Sequence, residues 1–286
     1  MRRLLIALGA IVAFVVVWEG YKAVGNPDGT VLFGVRILPR ADDLSMPHLS
    51  TVLQRLGRPE LTGGRPVWIV VLHACLFTLG ITAVGFVAGA VVGLLLAVLM
   101  QRFRLVERGL LPYVILSQTV PLVALAPLIA GWSGNLKFGT YPWQDWMTVA
   151  VIAAYLAFFP VAVGTLRGLN SPQAAQLGLM YSYAASWWQT LIRLRLPASV
   201  GHLVPALRLA AAASVIGTIV AEISTGTRGG IGRLIIEYAQ SATGDPARPW
   251  TAIVGAAGLG LVVAGLVSLL DLGLHRFHPT RMGSAR

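Results

Sequence analysis

The chain has 286 residues, of which 56% are hydrophobic and only 12% are charged, and its formal net charge is +11. This composition excludes an ordinary soluble domain and places the chain among polytopic membrane proteins. The single cysteine, Cys75, excludes an intramolecular disulfide and a cysteine-clustered zinc or iron–sulfur site. Because the basic residues flank apolar stretches and form no runs with interleaved aromatic residues, no nucleic-acid partner is predicted.

About six apolar stretches are long enough to cross a bilayer, since a helical crossing takes about 20 residues. They cover residues 4–24, 68–100, 111–132, 147–166, 203–224 and 249–272. The predicted fold class is all-α, a polytopic integral membrane protein with about six transmembrane helices. We divide it into residues 1–67, an N-terminal membrane helix with an external connector, residues 68–272, a core membrane domain, and residues 273–286, a basic tail.

The N-terminal stretch starts with Arg2 and Arg3 and fits either a cleaved secretory signal or a retained membrane anchor. We favour the anchor, because an even number of spans then puts both basic ends of the chain on one side. The connector at residues 26–66 is repeatedly interrupted by proline. Between the prolines, apolar residues from Leu49 to Leu56 recur at helical spacing, which predicts a short amphipathic helix. It is either a partner-binding surface or a solvated connector.

The second span carries Gly85, Gly89 and Gly93, a repeat that lets helix backbones approach closely. We interpret this ridge as helix packing and not as chemistry.

The third span is the most polar and most proline-interrupted one, with Gln118, Thr119, Pro121 and Pro127. Each proline removes a backbone donor, and irregular backbone inside a bilayer survives only when it is buried in protein or lines a cavity. Interrupted helices mark the substrate route in transporters. We predict that these residues line a translocation path, with a packing kink as the alternative.

The loop after this span is rich in aromatic residues, namely Trp132, Tyr141, Trp143 and Trp146. The pattern is typical of an interfacial aromatic belt, and a ligand-stacking site is the alternative.

Further along the chain, Glu222 ends the fifth span. Because a carboxylate is costly in hydrocarbon and cheap at the interface, we place Glu222 at the outer interface. There it would form part of a translocation path or outer gate, paired with Arg228 or Arg233.

The chain lacks the motifs of ATP hydrolysis and of familiar catalytic sites. Its two lysines, Lys22 and Lys137, are not in a G-x-x-x-x-G-K-[ST] phosphate loop, and neither G-x-S-x-G nor H-E-x-x-H occurs. The histidines have no partner at metal-ligand spacing. We therefore predict no catalytic residue, no metal site and no bound cofactor, and a transporter of this kind must use the motor of another chain.

One long connection, residues 167–202, is far longer than the 2–8 residues that usually join two helices. It contains a helix-compatible run with small residues, the pair Trp187 and Trp188, and the dipeptide Leu196-Pro197, at which we predict that the run breaks. Such a segment is suited to docking against a partner, because an amphipathic helix laid in a groove moves as a rigid body.

Four pieces of sequence in a fixed order resemble one transport family. They are Ala184-Ala185-Ser186-Trp187-Trp188-Gln189, Leu194-Arg195-Leu196-Pro197, Val220-Ala221-Glu222 and Gly229-Gly230-Ile231-Gly232. Together they resemble the cytoplasmic "EAA" loop and the helix after it in the membrane subunits of bacterial ATP-binding cassette (ABC) importers. The resemblance covers roughly residues 70–272.

Two alignments of the EAA motif are open. If Pro197 is the anchor, the family glutamate falls near Gly178 and the family glycine becomes Ala184. If Gln173-Ala174-Ala175 is the anchor, the glutamate is replaced by Gln173. We prefer the Pro197 anchor, because it brings the Ala-Ser-x-Trp-Gln run into register.

The resemblance implies a permease whose 167–202 segment couples to an ATPase. The coupling residues implied are Gln173, Ala174, Ala175, Gly178, Ala184, Ala185, Ser186, Trp188, Leu196 and Pro197. The implied partners are a cytoplasmic ABC ATPase dimer that binds ATP and Mg²⁺, an external substrate-binding protein, a second permease, either identical or related, and membrane lipid.

The resemblance further implies that the protein is located in the bacterial plasma (inner) membrane. Within short loops, basic residues favour the cytoplasmic side, and three arginines in residues 101–109 against the single Lys137 of the next loop place both termini in the cytoplasm. The branch of the family indicates pyrimidine, thiamine-precursor or riboflavin-type solutes ahead of sulfonates, taurine or nitrate. A membrane-embedded enzyme or lipid-modifying protein, and a gated channel, are the alternatives from other classes.

Overall fold

The computed structural model describes residues 2–32, 35–61, 63–134, 136–138 and 140–274. The helices in these residues are α1 (Arg2–Val24), α2 (Leu49–Gly57), α3 (Val67–Arg102), α4 (Arg104–Leu116), α5 (Leu122–Ser133), α6 (Asp145–Leu169), α7 (Ala174–Ser182), α8 (Trp187–Thr190), α9 (Leu196–Thr225), α10 (Ile231–Gln240) and α11 (Arg248–Leu274). Two short antiparallel hairpins pair β1 (Thr30–Leu32) with β2 (Val35–Leu38) and β3 (Lys137–Phe138) with β4 (Tyr141–Pro142). The predicted all-α membrane fold is confirmed.

The number of spans differs from the predicted six. Among the described residues, four helices are long and apolar enough to cross a membrane, or up to five if one bent pair is a single span. The first predicted span does form α1, but the side chains of residues 1–8 are outside the described part, and α1 is not in that count. Residues 275–286, most of the predicted basic tail, also lie outside the described residues.

The chain divides into two compact units, one made of Met1–Cys75 with Leu234–Ala256 and the other of Leu76–Arg233 with Ala257–Arg286. The first unit contains the connector at residues 26–66. Its α2 buries Val52 and exposes Leu53, so the predicted amphipathic helix is present. Trp18 of α1 donates from its indole nitrogen to the Pro47 carbonyl at 3.1 Å, and its ring meets the Trp250 ring edge-on at 4.9 Å.

Polar side chains fasten the connector of the first unit to the start of α11. The Arg248 guanidinium lies 3.0 Å from Glu60 and 4.3 Å from the Tyr238 ring, and Arg55 pairs with Asp245. The Tyr238 hydroxyl donates to Glu60 at 2.9 Å. Burial, followed by the Glu60 carboxylate, raises the pKa of Tyr238 to about 12, so this network keeps its neutral phenol at every physiological pH.

The second unit is built around α6, which packs against α3 and α9. Three apolar clusters among its described residues are formed by Ile81, Ala126, Val149, Ala150, Ile152 and Ala221, by Ala97, Met100, Ala162, Leu166, Leu169 and Leu191, and by Ala157, Val161 and Ala210. Small residues dominate because the backbones are very close. A Cβ on Gly89 would lie 2.5 Å from the Ala154 carbonyl oxygen and 2.6 Å from the Ala157 Cβ. The predicted packing role of the α3 glycine ridge is confirmed.

The predicted third span is broken, as its prolines indicated. α4 and the 3₁₀ turn Ser117–Thr119 are bent by 100° relative to α5. The bend falls at Pro121, the residue before α5, whereas Pro127 lies inside α5 without ending it.

Candidate functional site

The 167–202 segment is helical over most of its length, and polar caps fix its helix starts. The backbone N–H of Gln173 donates to Gln176 Oε1 at 2.9 Å just before α7. At the start of α8, Ser186 Oγ accepts from the Gln189 N–H at 3.3 Å while Gln189 Oε1 accepts from the Ser186 N–H at 2.8 Å. This reciprocal pair is a capping box, so the Ser-x-x-Gln sequence determines where α8 begins.

α7 is a helix without a buried residue. Leu177 and Met180 are partly covered. Ala175 and Gly178, which are three residues apart and so share another face of the helix, are exposed. A Cβ built on Gly178 would meet nothing within 4 Å. No contact with the described residues requires this glycine, although glycine costs a helix about 0.5–1 kcal/mol relative to alanine.

α7 ends in a Schellman motif. The N–H of Ala184 donates to the Tyr181 carbonyl at 2.9 Å, and the N–H of Ala185 donates to the Met180 carbonyl at 3.0 Å. Within the described residues, Ala184 is the only non-glycine residue with a positive φ, at 49°. Glycine is the usual residue at this position of the motif because it has no Cβ to clash.

We expect Ala184→Gly to stabilise the end of α7 by about 1 kcal/mol, since the left-handed conformation costs a residue with a Cβ about that much. Amide hydrogen exchange of the purified protein should show slower exchange for the α7 amides. Ala185→Gly, one residue further along, is the control and should give no such protection. Faster α7 exchange in Ala184→Gly would contradict the prediction.

Two arginines hold the rest of the segment against the membrane helices. Arg195 Nη1 donates to the Leu169 carbonyl at the end of α6 at 2.8 Å. The Arg102 guanidinium of α3 lies 4.8 Å from the centre of the Trp187 ring, a cation–π contact. Trp187 packs against the cluster that contains Leu191, whereas Trp188 is 64% exposed. The two tryptophans therefore have different surroundings, and only Trp188 offers an exposed ring.

The predicted break at Leu196-Pro197 is wrong. α8, a π turn at Leu191–Arg195 and α9 form one continuous helix, Trp187–Thr225. Pro197 has no N–H to donate and its ring crowds the preceding turn. The wider π turn just before it, in which the Leu196 N–H donates to the Leu191 carbonyl, gives the ring room. The helix continues past the proline for this reason.

The structure brings the predicted coupling residues together on the surface of one segment. Gln173, Ala174, Ala175, Gly178, Ala184, Ser186, Trp188 and Pro197 are exposed, and Ala185 and Leu196 are partly buried. Their role in coupling stays a prediction.

The predicted path residues lie around the break between α4 and α5. Thr119, Pro121 and Pro127 are exposed, and Gln118 is partly buried. The Gln118 amide nitrogen is enclosed and has no hydrogen-bond partner in the part of the chain that the structure describes. The Tyr155 hydroxyl of α6 donates to the Ser117 carbonyl, which also accepts from the Val120 N–H within the 3₁₀ turn. A side chain from α6 thus supports the break, and the path role of these residues stays a prediction.

Glu222 is placed differently from the prediction. It is 0% exposed. Its Oε1 accepts from Thr78 Oγ1 of α3 and its Oε2 accepts from the Gly232 N–H of α10, both at 2.8 Å. The Ile231 N–H donates in turn to Thr78 Oγ1 at 2.9 Å. A hydroxyl and one backbone amide therefore satisfy the carboxylate in place of water and arginine, and the role of Glu222 in a translocation path stays a prediction.

Glycine permits this arrangement. A Cβ on Gly230 would overlap the Glu222 carboxyl group, and a Cβ on Gly232 would lie 2.5 Å from the Ile219 carbonyl oxygen. Thr78, the partner on α3, was missed by sequence reasoning. The signal was present, because Thr78 and Thr82 are four residues apart and are polar residues within a long apolar helix.

The described residues contain no group of three or more His, Cys, Asp or Glu side chains that could hold a metal ion. What the geometry does present is a bundle of membrane helices, one broken span and an exposed helical segment. These features define the class as a multi-pass membrane protein.

Comparison with known proteins gives the family. Residues 89–280 match the family described as binding-protein-dependent transport system inner membrane component. The chain belongs to this family, which confirms the permease prediction and favours it over a membrane-embedded enzyme.

Individual relatives agree with this family. A probable ABC transporter permease of Haemophilus influenzae is 30% identical over 82% of this chain and 88% of its own length. The formylaminopyrimidine transport permease of Halalkalibacterium halodurans is 36% identical over 51% of this chain, and the match spans about half, 54%, of that relative. A crystal structure of an amino acid ABC transporter has the same fold, with a TM-score of 0.54 and 20% identity over 72% of this chain and 94% of that one.

Proposed function

We propose that this chain is the membrane-spanning subunit of an ATP-driven importer of a small organic solute. The observation that carries the proposal is α7, a helix without a buried residue, on which a Cβ at Gly178 would meet nothing within 4 Å among the described residues. Close approach of a partner to this exposed helix would account for a glycine there. The partner is a cytoplasmic ABC ATPase dimer, which binds ATP and Mg²⁺, while this chain binds no cofactor itself.

Transport then follows from alternating access. A second permease, identical or related, completes the path, and an external binding protein delivers the solute. Closure of the ATPase pair on ATP moves the docked 167–202 segment, and the helices exchange an inward for an outward opening. Each ligand acts only through its different affinity for the two states. In this arrangement the chain lies in the bacterial inner membrane with both termini in the cytoplasm.

The solute class proposed is a pyrimidine, a vitamin precursor or a riboflavin-like compound, ahead of sulfonates, taurine or nitrate. The relative from Halalkalibacterium halodurans, named for formylaminopyrimidine, supports this order. Solute selection rests chiefly with the external binding protein.

Co-purification with a co-expressed candidate ABC ATPase tests the proposal. We expect Ala175→Arg and Gly178→Arg to abolish association, because a long charged side chain on the exposed face of α7 prevents close helix docking. Gly178→Ala adds only a methyl group and should retain part of the association. Ser50→Arg, which adds the same charge to the exposed surface of α2, is the matched control and should bind like wild type. Equal association of wild type and both α7 arginine variants would reject the docking role.

A further inference from the structure

A small cleft lies in the second unit at the end of the bundle opposite α7. It is lined by Phe77, residues 144–146 and residues 226–228, and its volume is about 460 Å³. We call it the Asp145–Arg228 cleft. Small-molecule sites typically measure about 300–1,000 Å³, whereas a protein partner needs about 800 Å² of surface on each side. The dimensions fit a small solute.

The cleft holds two charges of opposite sign that do not pair with each other. Asp145 and Arg228 are both exposed and both line it. Over the described residues, neither side chain forms an ion pair or a hydrogen bond. The cleft therefore contains a hydrogen-bond acceptor, the Asp145 carboxylate, and a hydrogen-bond donor, the Arg228 guanidinium.

The wall that carries Arg228 is fixed before any ligand arrives. Gly226 ends α9 in the left-handed region with φ 72°, and Gly229 adopts φ 95° with its Cβ position 3.7 Å from the Phe77 ring. The hydrogen bonds of the Glu222 carboxylate hold the residues that follow this turn. A preformed wall reduces the ordering cost of binding.

The opposite wall is fixed as well. The Trp146 indole nitrogen donates to Gln144 Oε1 at 2.6 Å, and the Trp146 ring packs against the cluster that contains Val149 and Ala221. Trp146 therefore presents a held aromatic edge beside Asp145. The cleft combines an aromatic surface, an acceptor and a donor.

We propose that the Asp145–Arg228 cleft is a solute-binding site for small molecules that carry both an amino group and an acceptor group. The amino group binds Asp145, and an anionic or ring-nitrogen acceptor binds Arg228. The inference rests on the proposed importer function, because an uptake path needs a surface at which solute first meets the permease. The solute is then recognised twice, first by the external binding protein and then by this cleft.

The test measures binding of small probes to the purified full chain, without ATPase, by calorimetry and tryptophan fluorescence. One probe pair is 3-aminopropanesulfonate and propanesulfonate, and the other is 4-amino-2-methylpyrimidine and 2-methylpyrimidine. Each amino compound should bind more tightly than its amine-free analogue. Binding of the first pair would identify the ligand class as a zwitterion, and binding of the second would identify it as an aminoheterocycle. Trp146→Phe should remove the fluorescence change and so locate the bound probe.

Substitutions assign the two charges. Arg228→Gln should weaken the amino probe at least about tenfold, because a hydrogen bond to a charged group contributes about 1.5–3 kcal/mol. Asp145→Asn should abolish the preference for the amino compound. Arg65→Gln and Asp28→Asn, at exposed charges of the first unit, are controls and should bind as wild type does.

No detectable binding to wild type at millimolar concentration, or equal affinity in Arg228→Gln, would overturn the cleft assignment. The cleft assignment would also be overturned if Asp145→Asn still bound the amino compound more tightly than its amine-free analogue. Because the ATPase is absent, these outcomes are independent of the co-purification experiment. Normal ATPase association together with absent probe binding would reject the cleft and leave the importer function in place.

Discussion

Glu222→Ala is expected to destabilise the protein by about 2–5 kcal/mol, because each buried donor left without an acceptor costs about 1–3 kcal/mol. The substitution removes both carboxylate oxygens, which leaves the Thr78 hydroxyl and the Gly232 N–H without their acceptor. Glu222→Gln should cost less than Glu222→Ala, since its amide oxygen can still accept from the Gly232 N–H and only the Thr78 hydroxyl loses its acceptor. Thermal unfolding in detergent measures both changes.

A double-mutant cycle separates this contact from a general effect of mutating α9. Gly230→Ala alone should destabilise by about 1–3 kcal/mol, the usual range for overpacking, because its Cβ would overlap the Glu222 carboxyl. In the Glu222→Ala background that overlap is gone, so the second substitution should cost almost nothing. Such non-additivity marks residues in direct contact. Additive effects would show that the carboxylate and the turn are not packed together.

Gly89→Ala is expected to destabilise the protein by about 1–3 kcal/mol through overpacking. The new Cβ would lie 2.5 Å from the Ala154 carbonyl oxygen of α6. Backbone atoms of a packed helix cannot move aside as the end of a flexible side chain can, so α3 and α6 must separate.

Gly80→Ala is the matched control on the same helix, because a Cβ there would meet nothing within 4 Å. It should be neutral or stabilise by up to about 1 kcal/mol, the difference in helix propensity. Thermal unfolding of the two variants in one detergent should therefore give shifts of opposite sign. Equal shifts would mean that the glycine ridge is not the α3–α6 contact.

The sequence was sufficient for the class of fold because long apolar stretches and the glycine ridge report on single helices and their closest contacts. It also located the broken span, since a proline in an apolar run changes the backbone locally. It did not show that Pro197 is accommodated. A π turn depends on how the preceding residues pack, and Leu191 is buried against α3 and α6 residues far away in sequence.

The surroundings of Glu222 were beyond sequence reasoning for the same reason. Its partners Thr78 and Gly232 are 144 and 10 residues away, so only the tertiary fold brings them together. In the sequence, a carboxylate close to glycines and arginines predicts a solvent-exposed ion pair. Close packing of the glycine turn excludes water from the carboxylate, and the Gly232 N–H and the Thr78 hydroxyl donate to it instead. The exposed face of α7, in contrast, follows from small residues at helical spacing.

The unbroken helix at Trp187–Thr225 has a mechanical consequence. With 39 residues and a rise of 1.5 Å per residue, it is about 58 Å long. If it tilts as a rod by about 5°, its two ends are displaced relative to each other by about 5 Å, roughly one helical turn. Because the helix continues through Pro197 and Pro205 without a break, we expect a push on Trp188 at one end to displace the Glu222 end. Both prolines lie inside this lever arm and not at a joint.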